Sequence, residues 1–271
     1  MTALRTVTVD GSPVHVLESG TGPAVLMLHG SGPGTTGSGA WATTAEALGA
    51  SWHLVAPDQA GFGRTPVPAG SRGGLRLWTE QAAGLMDALG IEHYAVVGHS
   101  MGGAVALALA AARPSRSPVS WRSRRWAPRG AAVRRPRRAL GRPAGPLGAR
   151  DMLSRLVLDQ ALVTDSAVDA RAAAMRAGRP HSRRCSLHPG HDGSTISPSR
   201  RKRWQRCARP CCSFTAPRTG SPARDGSRPL LAHLADVRLH VLGRCGHVPA
   251  VEHPHEFRQL LSCFLRQGRG H

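Results

Sequence analysis

The sequence predicts an α/β fold with a mainly parallel sheet flanked by helices. Three observations carry that reading. Short apolar runs alternate with segments of helical period through the first 113 residues, the pattern of parallel strands joined by crossover helices. Glycine-rich turns, His29 to Gly34 and Asp58 to Gly63, follow two of the apolar runs, where the loops of such a sheet gather function. The run Ala95 to Val97 enters Gly98-His99-Ser100-Met101-Gly102, and the alanine-rich stretch Ala104 to Ala110 leaves it.

In chain order, Thr6 to Val9 and Val14 to Glu18 alternate as strands, with Asp10-Gly11-Ser12 as their turn. Ala24 to Leu28 is wholly apolar, as a strand buried on both faces must be. Trp41 to Leu48 has helical spacing, His53 to Pro57 reads as a strand, Leu75 to Leu89 as a helix and His93 to Val97 as a strand. Pattern is lost at Pro114 and returns at Ala149, where Met152, Leu153, Leu156, Val157 and Leu162 share a helical face and Val168 to Met175 forms a second helix. It is lost again from Gly178 to Pro229. Leu230 to Leu234 then reads as a helix, Val237 to Leu242 as a strand and His255 to Leu265 as a closing helix.

A strand, Gly-x-Ser-x-Gly and a helix in that order make a nucleophile elbow. Gly98 and Gly102 let the backbone approach itself closely, and Ser100 is held on the corner at a helix N-terminus. A plain Gly/Ser turn is the alternative. Acyl transfer also needs a base, an orienting acid and oxyanion donors. His247 is the base candidate, because it follows a late strand through Gly243-Arg244-Cys245-Gly246. The competing reading is one loop histidine among 14. The oxyanion donors are the backbone N–H groups of Met101 and Ser31. The glycine loop could instead cradle phosphate, but it lacks the Lys-Ser/Thr ending of a P-loop.

The net charge of +20 invites a nucleic-acid reading, but its location argues otherwise. Pro114 to Gly148 holds ten arginines and no acid, and Gly178 to Pro229 holds twelve Lys/Arg and two acids. The remaining residues carry 14 basic and 14 acidic groups. The excess therefore belongs to two internal blocks that contain Trp121, Trp126 and Trp204 but no folded nucleic-acid motif. The six cysteines lack metal or disulfide spacing, no signal peptide opens the chain, and no apolar run is long enough to span a membrane. These features lead to a cytoplasmic protein with a small-molecule substrate, no cofactor and no metal, and they leave room for a homo-oligomer.

Together, His29-Gly30-Ser31-Gly32-Pro33-Gly34, Pro57-Asp58-Gln59-Ala60-Gly61-Phe62-Gly63, Gly98-His99-Ser100-Met101-Gly102-Gly103 and Gly243-Arg244-Cys245-Gly246-His247 resemble an α/β-hydrolase. The branch they resemble is the meta-cleavage-product hydrolases, across residues 1–113, 149–177 and 230–271. The resemblance implies the α/β-hydrolase fold with a helical lid and C–C bond hydrolysis of 2-hydroxy-6-oxo-dienoate ring-fission products. Ser100 and His247 would be catalytic, with Gly30, Gly32 and His99 lining the substrate site. Arg171 matches a lid-helix arginine that holds the substrate carboxylate; the alternative is a solvated helix arginine. A general carboxylesterase would need the same parts. The chain departs from the family at Thr43, where Asn is usual, and at Val248, where Trp is usual. No aspartate ends a recognisable strand; Asp225 and Asp236 are the available acids, Asp225 being the weak candidate for the triad.

The basic blocks also read as a shifted frame. Pro210 to Ser221 can be encoded so that codons starting on each third base give LLLVHGPEDRI, a strand followed by the acid turn of this family. Its aspartate codon straddles Arg218 and Thr219. The same offset lets Pro114 to Arg129 read EPVAGLVAVAAVGAP, a strand of the kind expected after the elbow helix. A genuine basic insertion is the alternative. The organisation expected is thus a core half with the elbow (1–113), a disrupted strand and helical lid (114–180), a disrupted basic segment (181–229) and a core segment with the catalytic His (230–271). As written, the sheet is expected to be incomplete and the chain to be the inactive product of a frame-shifted gene.

Overall fold

The computed structural model describes residues 2–71, 73–113, 119–123, 145–177, 211–215 and 237–267. Their strands are β1 (Thr2–Val9), β2 (Ser12–Ser19), β3 (Ala24–Leu28), β4 (His53–Pro57), β5 (Tyr94–His99), β6 (Val119–Ser123), β7 (Cys211–Thr215) and β8 (Val237–Val241). They form one sheet in the order β1-β2-β4-β3-β5-β6-β7-β8. The first hairpin pairs antiparallel, as does β2 with β4, and every later pair is parallel. The carboxyl ends of β3 to β8 therefore open on one side, where loops collect.

The helices are α1 (Gly37–Leu48), α2 (Leu75–Ala88), α3 (Met101–Ala112), α4 (Pro146–Leu156), α5 (Asp165–Ala177), α6 (Pro249–Glu252) and α7 (Pro254–Gln267). Alternation along β3 shows why the central strand is apolar throughout. Leu26 and Leu28 face a core with Trp78, Leu85, Met86, Val105 and Leu109, from α2 and α3. Val25 and Met27 face the opposite core, with Trp41 from α1 and Phe257, Leu261 and Phe264 from α7. Each fully buried large apolar side chain contributes roughly 1.5–3 kcal/mol. Two covered faces thus hold the sheet rigid under its loops. A third cluster, Ala149, Val157, Val163, Val168, Ala172 and Met175, joins α4 to α5 as the lid.

One reading of the sequence is corrected. The segment from Met152 to Leu162 is not one helix: α4 stops at Leu156, and Gln160–Leu162 is a separate 3-10 turn. Within the two basic blocks, short segments pair in the sheet through their backbones. Val119–Ser123 pairs with β5 and Cys211–Thr215 pairs with β8, each parallel. Ladder bonds are made by backbone N–H and C=O groups, so a segment without a continuous apolar run can still pair. Both strands lie inside the stretches where a shifted frame would encode strands. Apart from residues 145–148, which open α4, the rest of the basic blocks, the Leu230 to Leu234 helix, Asp225, Asp236 and the codons at Arg218 and Thr219 lie outside the described residues.

Candidate active site

The corner between β5 and α3 is built by what its glycines lack. A Cβ on Gly98 would lie 2.2 Å from the Gly102 carbonyl oxygen, and one on Gly102 would lie 2.2 Å from that of Leu28. Only hydrogen fits at either place. Ser100 between them has φ 53° and ψ −112°, a region that non-glycine residues rarely occupy. Serine is a favoured helix N-cap, yet Ser100 makes no side-chain cap bond to α3. Its hydroxyl is spent on no helix amide. Met101 opens α3, so its N–H is one of the first-turn donors with no partner inside the helix.

The loop after β3 runs beside this corner. A Cβ on Gly30 would stand 3.3 Å from Ser100 Cβ and 2.9 Å from His99 Nδ1. Ser31 is the next residue along that loop. The loop is held from below by His29, which is fully buried. Its Nε2 accepts from the Gln59 N–H at 2.9 Å, and its Nδ1–H donates to the Gly30 carbonyl at 2.7 Å. That pattern requires the neutral imidazole, and burial pushes the pKa down to about 4. Gln59 Nε2 donates back to the His29 carbonyl at 2.7 Å. Asp58 anchors the neighbouring turn by accepting from the N–H groups of Gly37 at 2.7 Å and Arg64 at 3.0 Å.

The lid closes on the same loop. Gly32 lies against Met152 of α4, and a Cβ on Gly34 would meet the Met175 N of α5 at 2.7 Å. Arg171 of α5 donates to the Thr35 hydroxyl at 3.0 Å and to the Pro33 carbonyl at 3.3 Å. Burial lowers its pKa from the usual guanidinium value. Among the described residues it has no carboxylate partner. Burial likewise lowers the pKa of His99; its bond to the carbonyl of His247 opposes that fall, and the positive charge of Arg171 adds to it. The positive charge of Arg171 thus acts on the elbow histidine.

His247 comes to the elbow from β8. Its ring meets that of His99 edge-on with centroids 4.8 Å apart, and its carbonyl accepts from His99 Nε2 at 2.8 Å. The fold thus brings Ser100, Gly30, His99, His247 and Arg171 to one place, with Gly32 under the lid. Two carboxylates have a local role that sequence reading does not supply: Asp58, quoted only within a motif, and Glu252. Both accept from backbone N–H groups, which leave no signature in side-chain spacing. Among the described residues no group of three His, Cys, Asp or Glu could hold a metal ion.

Comparison with known proteins narrows this arrangement. Residues 23–117 match the family described as the alpha/beta hydrolase fold. A 2-hydroxymuconate semialdehyde hydrolase of Pseudomonas sp. strain CF600 is 30% identical over 282 residues, covering 97% of this chain and 94% of that one. The chain belongs to the meta-cleavage product hydrolases. A 2-hydroxy-6-oxo-6-phenylhexa-2,4-dienoate hydrolase of Burkholderia cepacia is 29% identical and covers 94% of this chain and 92% of its own. Among solved structures, a meta-cleavage product hydrolase of Pseudomonas fluorescens IP01 superposes with a TM-score of 0.82 at 25% identity, covering 97% of each chain. A 2-hydroxy-6-oxo-6-phenylhexa-2,4-dienoate hydrolase of Rhodococcus sp. strain RHA1 gives 0.78 at 25% identity over 98% of this chain and 99% of that one. Like them, this hydrolase has the α/β-hydrolase fold. Among its described residues no helix is long and apolar enough to cross a membrane.

Proposed function

We propose that this hydrolase cleaves a carbon–carbon bond in a 2-hydroxy-6-oxo-dienoate ring-fission product of aromatic degradation. Ser100 is the nucleophile and His247 the base, and the N–H groups of Met101 and Ser31 receive the oxyanion. Arg171 binds the substrate carboxylate. The observation that carries the reading is that partly buried guanidinium, close enough to act on the elbow histidine and lacking a carboxylate partner among the described residues. Buried charges are ordinarily paired, so an anionic group on the substrate is the partner this site calls for. The names of the two relatives, a 2-hydroxymuconate semialdehyde hydrolase and a 2-hydroxy-6-oxo-6-phenylhexa-2,4-dienoate hydrolase, support the same class.

The chemistry divides among these groups. His247 assists ketonisation of the dienol and then activates Ser100 or a water against the C6 carbonyl. The tetrahedral oxyanion is stabilised by backbone donors in place before reaction. Collapse breaks the carbon–carbon bond, and hydrolysis frees the acyl fragment. The triad acid belongs to the codon straddling Arg218 and Thr219, just beyond the last residue of β7. Strand β7 lies parallel and next to β8, so an acid loop there would adjoin the loop of His247. The substrate is a small molecule met in the cytoplasm, and the arginine blocks are a coding artefact with no nucleic-acid partner.

The test compares a carboxylate-bearing dienoate with a neutral p-nitrophenyl ester in the frame-restored chain. The dienoate should be preferred. Arg171→Ala should lower its kcat/KM roughly 10- to 10²-fold, the worth of a charge-assisted bond, and leave the ester little changed. A strong preference for neutral esters would assign the protein to the carboxylesterases instead.

A further inference from the structure

The backbone around His247 is held from two sides. From the core, His99 Nε2–H donates to its carbonyl at 2.8 Å. From the lid, the carbonyl of Leu156, last residue of α4, accepts from the His247 N–H at 2.5 Å. The half-buried Glu252 at the end of α6 joins the two. Its Oε2 accepts from the N–H of Gly246 at 2.8 Å and from that of Leu158 at 2.6 Å. Its Oε1 accepts from the N–H of Val248 at 3.2 Å. One carboxylate therefore gathers the amides before and after His247 together with an amide of the lid. The contact has no slack: a Cβ on Gly246 would stand 2.7 Å from Glu252 Oε1, from the Leu156 carbonyl oxygen and from the Leu158 nitrogen.

We propose that Glu252 is a positioning residue for His247, and that it makes docking of the lid and aiming of the imidazole a single event. This rests on the reading of His247 as the base. The chemistry of the cradle asks for a carboxylate. Three N–H donors converge on two oxygens, and an ionised carboxylate accepts at both in charge-assisted bonds. A glutamine of nearly the same shape offers one acceptor, and its NH₂ would confront a donor. Glu252→Gln therefore keeps the volume and breaks the cradle, whereas Glu252→Asp keeps the charge and loses one methylene.

Hydrogen exchange on the full chain tests the coupling, and labelling of Ser100 by a fluorophosphonate probe in the frame-restored chain tests the positioning. In Glu252→Gln the amides of Leu158, Gly246 and Val248 should all exchange faster, with those of β3 and β5 unchanged. Labelling should slow by about 10²-fold, as for a displacement of about 1 Å in a reacting group, and Glu252→Asp should label faster than Glu252→Gln. Faster exchange at Leu158 with Gly246 and Val248 still protected would overturn the coupling. Labelling in the glutamine variant that equals or exceeds that in the aspartate variant would overturn the positioning, because shape alone would then suffice. Loss of the cooperative melting transition in both variants would also overturn it, by making Glu252 a support of the whole fold. His247→Ala separates the two readings. Unchanged labelling there removes His247 as the base, while slow labelling there with normal labelling in Glu252→Gln removes only the role of Glu252.

Discussion

Ser100 occupies backbone angles that serine avoids, and the neighbours that force it there are visible in the sequence as Gly98 and Gly102. That part of the site is legible because the requirement is steric: a side chain at either glycine would strike a carbonyl oxygen. His29 is legible only as part of a glycine loop. Its role depends on Gln59, thirty residues on, and no spacing announces that pair. It has a measurable consequence. The folded pKa of about 4 lies below the ordinary 6.5, so between those values the unfolded chain binds the extra proton. Stability from His29 is then fully present above about pH 6.5 and falls away as pH drops toward 4, by roughly 3 kcal/mol in all. Urea unfolding at pH 7.5 and pH 4.5 should show that loss in the parent chain, and His29→Gln should show a shallower one. Equal slopes would mean that His29 is not held neutral by the fold.

Elements differ in how far the sequence announces them. Strands β3, β4 and β5 are apolar runs, and α2 and α3 carry helical period, so their existence follows from the residues alone. Strands β6 and β7 do not. Neither Val-Ser-Trp-Arg-Ser nor Cys-Cys-Ser-Phe-Thr is the continuous apolar run of β3, and their pairing is set by neighbours distant in sequence. The lid is intermediate. Its helices are readable, but its seat on Gly34 is not, because that contact is made by the backbone of α5. Gly34 has φ +70° and its Cβ position is filled by Met175, whereas Gly11 has φ +73° and open space around it. Both Gly→Ala changes incur the left-handed backbone penalty of about 1 kcal/mol. Gly34→Ala must also push α5 away, so limited proteolysis within α5 should accelerate in Gly34→Ala and not in Gly11→Ala. Equal protection of α5 in both variants would contradict this seating of the lid.

At the scale of the whole molecule, a charge-neutral hydrolase sequence is broken by two blocks that hold the entire excess of +20. The alignment with the Pseudomonas sp. hydrolase covers 97% of this chain and 94% of that one. The aligned parts of the two chains are nearly equal in length, which fits a shifted frame better than a long insertion. Strands β6 and β7 fall where that frame would encode strands, and the proposed acid turn would come after the second in sequence. The direct measurement is turnover of a 2-hydroxy-6-oxo-dienoate by three proteins side by side: the chain as written, the frame-restored chain, and its Ser100→Ala variant. The frame-restored chain should be soluble and active. Ser100→Ala should still bind the dienoate and not turn it over, and the chain as written should be slower by on the order of 10⁴-fold or more, the effect of losing the orienting acid. A chain as written that matches the restored enzyme, or a Ser100→Ala variant with full activity, would contradict the account.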